Sequence, residues 1–367
     1  MIAPPWLPVP PPAYGGTERV LDDLCRALAA AGHDVLLYAT GDSTCPVETA
    51  WTYRTALGTV RVSPAAELRH VLDAYEAAVA WGAEVVHDHT MSGPFLPQRH
   101  HGTPVVTTNH GPFDDDLTPL YRRLAPDVPV IAISHHQAST APDIPVAAVV
   151  HHGVTVDDYP IGPGGGPALF LGRMTPDKGV DRAIRIARAA GVPLLIAAKL
   201  AEPAERAYFA EKVEPLLGGD VEYLGEVGGE EKLQLLGEAS CLLNPIGWPE
   251  PFGLVMAESL ACGTPIVATP CGAAPEIVED GVTGFIRSDD AGLVEAVRAV
   301  ADLDRSDCRR AAKTRFSADR MAADHVAVYT KATARRDAPR HDTRHDGRRN
   351  GRRPMRGRDS GLVMAMN

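Results

Sequence analysis

ALFLGRMTPDKGVDRAIRIARAAGVPLLIAAK, residues 168–199, sets the architecture. Residues 168–172 and 193–198 are apolar runs of strand length, and residues 180–190 between them predict a helix. A strand, a charged glycine-bearing loop, a helix and a second apolar strand form the unit from which parallel sheets covered by helices are built. The same alternation runs outward in both directions. Upstream, residues 17–31 predict a helix with Val20, Leu21, Leu24, Cys25 and Leu28 on one face, and 65–81 a second helix. Strands are expected at 35–39, 84–87, 104–108, 130–134 and 147–151. Downstream, helices are expected at 202–217, 230–239, 253–261, 293–301 and 319–330, with strands at 221–224, 241–244, 265–268 and 284–286.

IGPGGGP, residues 161–167, breaks the rhythm and reads as a linker unable to pack into a core. It precedes a strand and lacks the GxGxxG spacing, so it is not a dinucleotide fingerprint. The expected fold class is α/β: two doubly wound, Rossmann-like domains facing across a cleft, where ligands of such sheets bind. The expected divisions are 1–160, 161–310, a closing helical segment at 311–330, and an Arg-rich, disordered tail at 331–367.

The 367 residues are 45% hydrophobic and 23% charged, which excludes a fibre, a disulfide scaffold and a wholly disordered chain. Net charge is -11, but it divides unevenly: residues 331–360 hold eleven Lys or Arg against four Asp. The acidic remainder is a poor binder of nucleic acid, so no specific nucleic-acid partner is expected. Six cysteines without a CxxC pair suggest a reducing, cytoplasmic setting. The proline-rich opening MIAPPWLPVPPPAYGG is not a signal peptide, and no run of 18 apolar residues predicts a membrane span.

Candidate chemistry gathers at strand ends. Gly15 and Gly16 precede the first helix, either as a tight turn or as bare amides open to an anion. Arg173 and Lys178 flank GRMTPDKG, as solvated loop charges or as a pair suited to a diphosphate. In PIGWPEPFGLVMAES, residues 245–259, Glu250 lies in a loop, Phe252 and Gly253 open a helix, and Glu258 lies on an otherwise apolar helix. Such a carboxylate is either at the surface or satisfied by hydrogen bonds, which a sugar diol would supply. Gly272 and Ala273 offer amides in a further loop, and Glu276 begins a short helix. Fourteen histidines show no HExxH or other zinc spacing, so no metal is expected. His110, in TTNHG, is the best candidate to touch a neutral polar substrate.

Taken together and in order, TTNHG, FLGRMTPDKGVDRAI, YLGEV, EPFGLVMAE, LACGTPIVA and PEIVEDGVTGF resemble the retaining glycosyltransferases of family 4, which have the GT-B fold. The resemblance covers roughly residues 3 to 330. It implies transfer of a hexose from a nucleotide-diphosphate sugar, a co-substrate rather than a cofactor, to a hydroxyl acceptor that the sequence leaves unidentified. The first domain would face the acceptor and the second the donor. Gly15 and Gly16 would approach the donor phosphates, His110 the transferred sugar, and Arg173 with Lys178 the diphosphate. Glu250 would hold the sugar hydroxyls, Phe252, Gly253 and Gly272 would contribute to donor binding, and Glu258 would bind the ribose. No metal is implied. One departure stands out: only Met1 to Ala3 precede Pro4 where the family begins with a hydrophobic strand. Two other readings remain open, an NDP-sugar epimerase of related fold and a non-catalytic binding protein with a basic tail. Oligomeric state is not readable.

Overall fold

The computed structural model describes residues 1–58, 63–96 and 102–337. Its strands, in chain order, are β1 Leu36–Ala39, β2 Glu48–Trp51, β3 Val86–Asp88, β4 Val105–Thr108, β5 Val130–Ala132 and β6 Ala148–Val149, followed by β7 Ala168–Arg173, β8 Leu194–Lys199, β9 Val221–Gly225, β10 Leu242–Asn244, β11 Ile266–Ala268 and β12 Gly284–Ile286. The first six and the last six form separate parallel arrays. The chain is thus α/β with two parallel sheets, as the alternation of apolar runs and helices predicts.

The slot between β1 and β3 is filled by Met1–Ala3. Ile2 bridges Tyr38 on one side and Asp88 on the other. Ile2 N donates to His87 O at 2.9 Å, Ala3 N to Tyr38 O at 2.9 Å, and Tyr38 N to Met1 O at 2.8 Å. Three residues therefore do the work of the first strand, and the chain turns out of the sheet at Pro4, which has no N–H to donate.

The second sheet runs β12-β11-β10-β7-β8-β9, so the order reverses between β10 and β7. At such a reversal, connections leave to opposite sides and open a crevice beyond the strand ends. Alternation along β7 packs both faces: Ala168 and Phe170 enter one core with Val180, Ile184 and Leu194, while Leu169 enters another with Met256, Leu260 and Phe316.

Several expectations change. The helix expected at 202–217 is α-helical only to Tyr208, then continues as a π-helical stretch, Phe209–Val213, and a 3₁₀ turn, Glu214–Leu216, before ending at Leu217; Pro215 has no N–H to extend the α ladder. The sequence reading did not anticipate the helices Leu117–Leu124, His135–Thr140 and Arg305–Arg315 or the edge strand β2. The glycine run at 161–167 is not a loose linker. Gly164 N donates to Gly237 O at 3.1 Å and Gly166 N to Glu238 O at 2.9 Å. A Cβ on Gly162 would lie 2.2 Å from the Gly237 main chain, so glycine is needed there for close packing. Residues 331–337, expected in the tail, extend the helix Ala318–Asp337. Ala332 is still buried against the same core as Met321 and Leu24, which places this helix on the helix Gly16–Ala30 of the first half. The rest of the tail lies outside the described residues, as does the pair His100-His101.

The chain crosses between the halves near Val154 and returns near Ser317. The two crossings pair: Val154 N donates to Phe316 O at 2.9 Å and Ala318 N to Val154 O at 2.8 Å.

Candidate functional site

A cleft of about 610 Å³ opens between the carboxyl ends of the two sheets. From the first half it is lined by the segment after Ala3 (Trp6, Leu7, Tyr14, Gly15 and Gly16), by Glu18 and Arg19 on the first helix, and by His110 and His152. From the second half come the loops after β7 and β10, including Arg173, Lys178, Trp248, Glu250, Phe252 and Gly253, with Glu258 behind them. Of the ten residues that the family resemblance places at the donor or the transferred sugar, nine line this one space. The helices Gly16–Ala30 and Leu254–Ala261 point their N-termini into it from opposite walls, so free amides and partial positive charge converge on its middle. Gly253, at φ +87°, makes the turn into the second of these; a Cβ there would meet Met256 Cε at 2.6 Å.

Gly272 is the exception. It is not among the lining residues; it lies behind the Glu250 loop at φ +61°, where a Cβ would fall 2.2 Å from Glu250 O. Ala273 N donates to Glu250 O at 3.0 Å, so this loop supports Glu250 from outside the cleft.

The cations of the second wall are each matched by an anion or a ring. Arg173 donates through Nη2 to Glu205 at 2.9 Å and to Glu202 at 3.1 Å, and through Nε to Glu205 at 3.1 Å. Glu205 is itself fixed, because its other oxygen accepts from Ala201 N at 2.7 Å and Glu202 N at 2.9 Å. Burial pushes the Glu205 carboxyl pKa up, but those amides and Arg173 outweigh it and leave it below the ordinary value. Lys178 pairs with Glu250 and stands 5.5 Å from the centre of the Trp248 ring. Two further lysines escaped the sequence reading. Lys199, at the end of β8, lies 5.5 Å from the Tyr14 ring centre across the cleft, and Lys232 lies 2.6 Å from Glu258 Oε1. Glu258 is 5% exposed, and its buried charge is met by Lys232 and by Tyr159 OH at 3.0 Å.

The first wall is built from histidines. His89 Nδ1 meets His110 Nε2 at 2.8 Å, and His110 Nδ1 meets His152 Nε2 at 3.4 Å. The rings continue to His87, 3.9 Å from His89 between centroids, and to Phe252 on the other wall, 5.0 Å from His152. Burial drives the His110 ring pKa down to about 3, His325 down to about 4, and His87, His89 and His152 well below 6.5. These rings are neutral at physiological pH. Glu18 is also buried here, and burial raises its carboxyl pKa despite a hydrogen bond with its own amide.

Beside the cleft, Glu276 reaches across from the second half. Its carboxylate accepts from His135 N at 2.8 Å and His136 N at 2.6 Å and meets His151 Nε2 at 2.8 Å. His135, His151 and Glu276 are also a cluster of metal-ligand side chains, with donor atoms within 4.8 Å of one another.

Comparison with known proteins agrees with this layout. The family described as Glycosyltransferase Family 4 matches residues 14–158, and that described as Glycosyl transferases group 1 matches residues 167–302. Over 192 residues the chain is 34% identical to glycogen synthase of Mycobacterium tuberculosis, covering 48% of this chain and 46% of that protein. Over 193 residues it is 31% identical to D-inositol 3-phosphate glycosyltransferase of Mycolicibacterium smegmatis, covering 47% of this chain and 44% of that one. The chain thus matches just under half the length of these curated relatives. Among solved structures, AviGT4, a glycosyltransferase of avilamycin A biosynthesis, superposes with a TM-score of 0.69 at 27% identity, covering 90% of this chain and 93% of that one. Anabaena HepE, solved with UDP and glucose, shares the fold at a TM-score of 0.67 and 19% identity, covering 86% of this chain and 96% of its own.

Proposed function

Since the chain belongs to the family-4, group 1 glycosyltransferases, we propose that it transfers a hexose from a nucleoside-diphosphate sugar to a hydroxyl acceptor, with retention at the anomeric carbon. The observation that carries this reading is the convergence of five cations, two helix N-termini and the buried carboxylates of Glu18 and Glu258 on one cleft between two parallel sheets.

The chemistry follows from those groups. The bond between the sugar C1 and the diphosphate oxygen breaks, and charge grows on the leaving oxygens. Arg173, Lys178 and the amides at Gly253–Leu254 stand where that charge develops, and fixed donors in a water-poor cleft stabilise it more than water would. Binding the diphosphate would draw Lys178 from Glu250, freeing that carboxylate to accept hydrogen bonds from the sugar. The acceptor oxygen attacks C1 from the side the diphosphate leaves, and its proton passes to the departing phosphate oxygen. His110, neutral and buttressed by two other histidines, offers the sugar a hydrogen bond without adding charge. The donor side is the second half and the acceptor side the first, with the division near residue 160 and the last helix returning to the first half. Six unpaired cysteines support a cytoplasmic setting. Among the described residues no helix is long and apolar enough to cross a membrane.

The test is a panel of UDP-, GDP- and ADP-linked sugars followed by thermal stabilisation, since a ligand that binds only the folded state raises the melting temperature. One donor that stabilises the protein, and whose nucleoside diphosphate is released faster when a hydroxyl acceptor is supplied, is the expected result. Silence across the panel overturns it. Isomerisation of the donor without an acceptor identifies an epimerase instead.

A further inference from the structure

The ribose end of the cleft holds more than the transfer chemistry needs. Glu258 receives two hydrogen bonds, and both fall on the same oxygen. Lys232 Nζ donates to Oε1 at 2.6 Å and Tyr159 OH donates to Oε1 at 3.0 Å. Among the described residues no hydrogen bond reaches Oε2, and that atom is not sealed from the surface. Lys232 and Glu258 line the cleft, whereas Tyr159 does not; it holds the carboxylate from behind, from the segment that joins the halves. Tyr159 is in turn anchored, because Arg309 donates to its carbonyl. Burial, reinforced by the Glu258 charge, raises the Tyr159 pKa well above its ordinary value, so its hydroxyl keeps its proton and remains a donor.

Two donors on one oxygen have a defined consequence. They fix the carboxylate through Oε1 and leave Oε2, in a residue lining the cleft, without a protein donor among the described residues. A ribose offers two neighbouring hydroxyls to that oxygen, and a 2′-deoxyribose offers one. A site built to accept hydrogen bonds penalises an analogue that lacks the donor, because a desolvated charged acceptor is left unmet.

Resting on the reading of the cleft as a nucleoside-diphosphate sugar site, we propose that Lys232 and Tyr159 are positioning residues that hold Glu258 Oε1 and present Oε2 to both ribose hydroxyls, so that the protein takes ribonucleoside-diphosphate sugars and discriminates against 2′-deoxyribo donors such as dTDP-sugars. Lys232 lies within a helix, Gly229–Glu238, whose Leu233, Leu235 and Leu236 pack on the core while its glutamates face outward. Its place in the cleft is a specific addition to the phosphate-binding cations.

The experiment measures binding, without turnover, of UDP, GDP and ADP and of dUDP, dGDP and dADP to the full chain by calorimetry. For whichever base binds, the wild type should prefer the ribo form by about tenfold or more, the loss expected for one hydrogen bond to a charged group. Lys232→Met should collapse that preference to about twofold or less, and Tyr159→Phe should reduce it part of the way. Lys232→Arg, which keeps a donor, should restore most of it. UDP-glucose against dUDP-glucose should follow the same ratio if uridine is the base. A ratio unchanged in Lys232→Met and Tyr159→Phe overturns the proposal, even if absolute affinities fall, because a merely structural role weakens both forms equally. A wild type that binds ribo and deoxyribo forms alike also overturns it. If no diphosphate binds the wild type at all, the reading of the cleft fails first and this assignment falls with it.

Discussion

The two walls of the cleft are built on opposite electrostatic plans. The second-half wall gathers Arg173, Lys178, Lys199 and Lys232; Glu202 and Glu205 counter Arg173, Glu250 counters Lys178 and Glu258 counters Lys232. Among the described residues, the first-half wall carries one cation, Arg19, whose Nη1 is 4.0 Å from Asp22, and otherwise relies on neutral histidines, aromatic and apolar side chains and Glu18. A ligand meets fixed charge on one side and hydrogen-bonding rings on the other. Charge held in ion pairs is ready to be exchanged for a polyanion. A histidine stack held neutral by burial offers nothing to exchange, and it suits a substrate part that stays uncharged through the reaction.

The contrast is broken most severely by removing a cation from the charged wall. Lys178→Ala should lower kcat by about a hundred- to a thousandfold, the usual loss of one group aimed at developing negative charge. Steady-state release of nucleoside diphosphate, with the donor found by the stabilisation panel, measures it. Acid breaks the histidine wall next. Each of His87, His89, His110, His152 and His325 binds its proton less readily folded than unfolded, so stability falls as pH drops below about 6.5. Asp23 and Asp88, pushed up to about 6, bind protons more readily when folded and oppose the trend between 3.8 and about 6. His70, also lowered by burial, joins the five, and Glu18, also raised by burial, joins the two aspartates; six groups against three leave a net loss, and the melting temperature at pH 5 should be roughly 5–10 °C below that at pH 7.5. A melting temperature flat over that range would show that the stack does not hold its rings neutral.

Gly272→Ala sharpens the comparison from behind the charged wall. A Cβ at that left-handed position would collide with the Glu250 main chain, at a cost of about 2–3 kcal/mol. Denaturant unfolding should show the loss, and donor affinity should fall with it because Glu250 is displaced. Glu276→Gln has the smallest expected effect, about 1 kcal/mol, through weaker acceptance from the His135 and His136 amides and His151. Thermal unfolding of the unliganded protein detects it, and Lys178→Ala in the same assay should change stability less than it changes turnover.

Much of this could be read before the structure. Apolar runs of strand length are local, and so are the loops that follow them, which is why Arg173, Lys178, Glu250, Phe252 and Gly253 were found together. What was missed depends on distance along the chain. Lys232 reads as one charge on an amphipathic helix until Glu258, 26 residues on, is placed beside it. Glu276 looks like turn chemistry because its partner His151 is 125 residues away. The histidines repelled a metal reading by their spacing, but spacing could not reveal that His89, His110 and His152 stack. The glycine run at 161–167 misled for another reason. A chain without side chains is flexible in isolation and also the only chain that fits against another backbone, and composition does not distinguish the two. Met1–Ala3 was too short to register as a strand, yet it needs only Ile2 to bridge both neighbours.

The paired crossings at Val154 and Ser317 give the molecule a mechanical character. Two connections lying apart would let the halves twist, slide and tilt independently. Here the outgoing and returning chains are laced together by main-chain hydrogen bonds, and Gly153 brings them so close that a Cβ would sit 2.4 Å from Ser317 O. Arg320 fastens the same spot by donating to His151 O at 2.6 Å and His152 O at 3.2 Å. Such a seam bends about one line and resists the rest, as a hinge does with both leaves on a single pin. Opening for substrate and shutting against water then become one coordinate, and His152, one of the cleft-lining histidines, is carried on the pin itself.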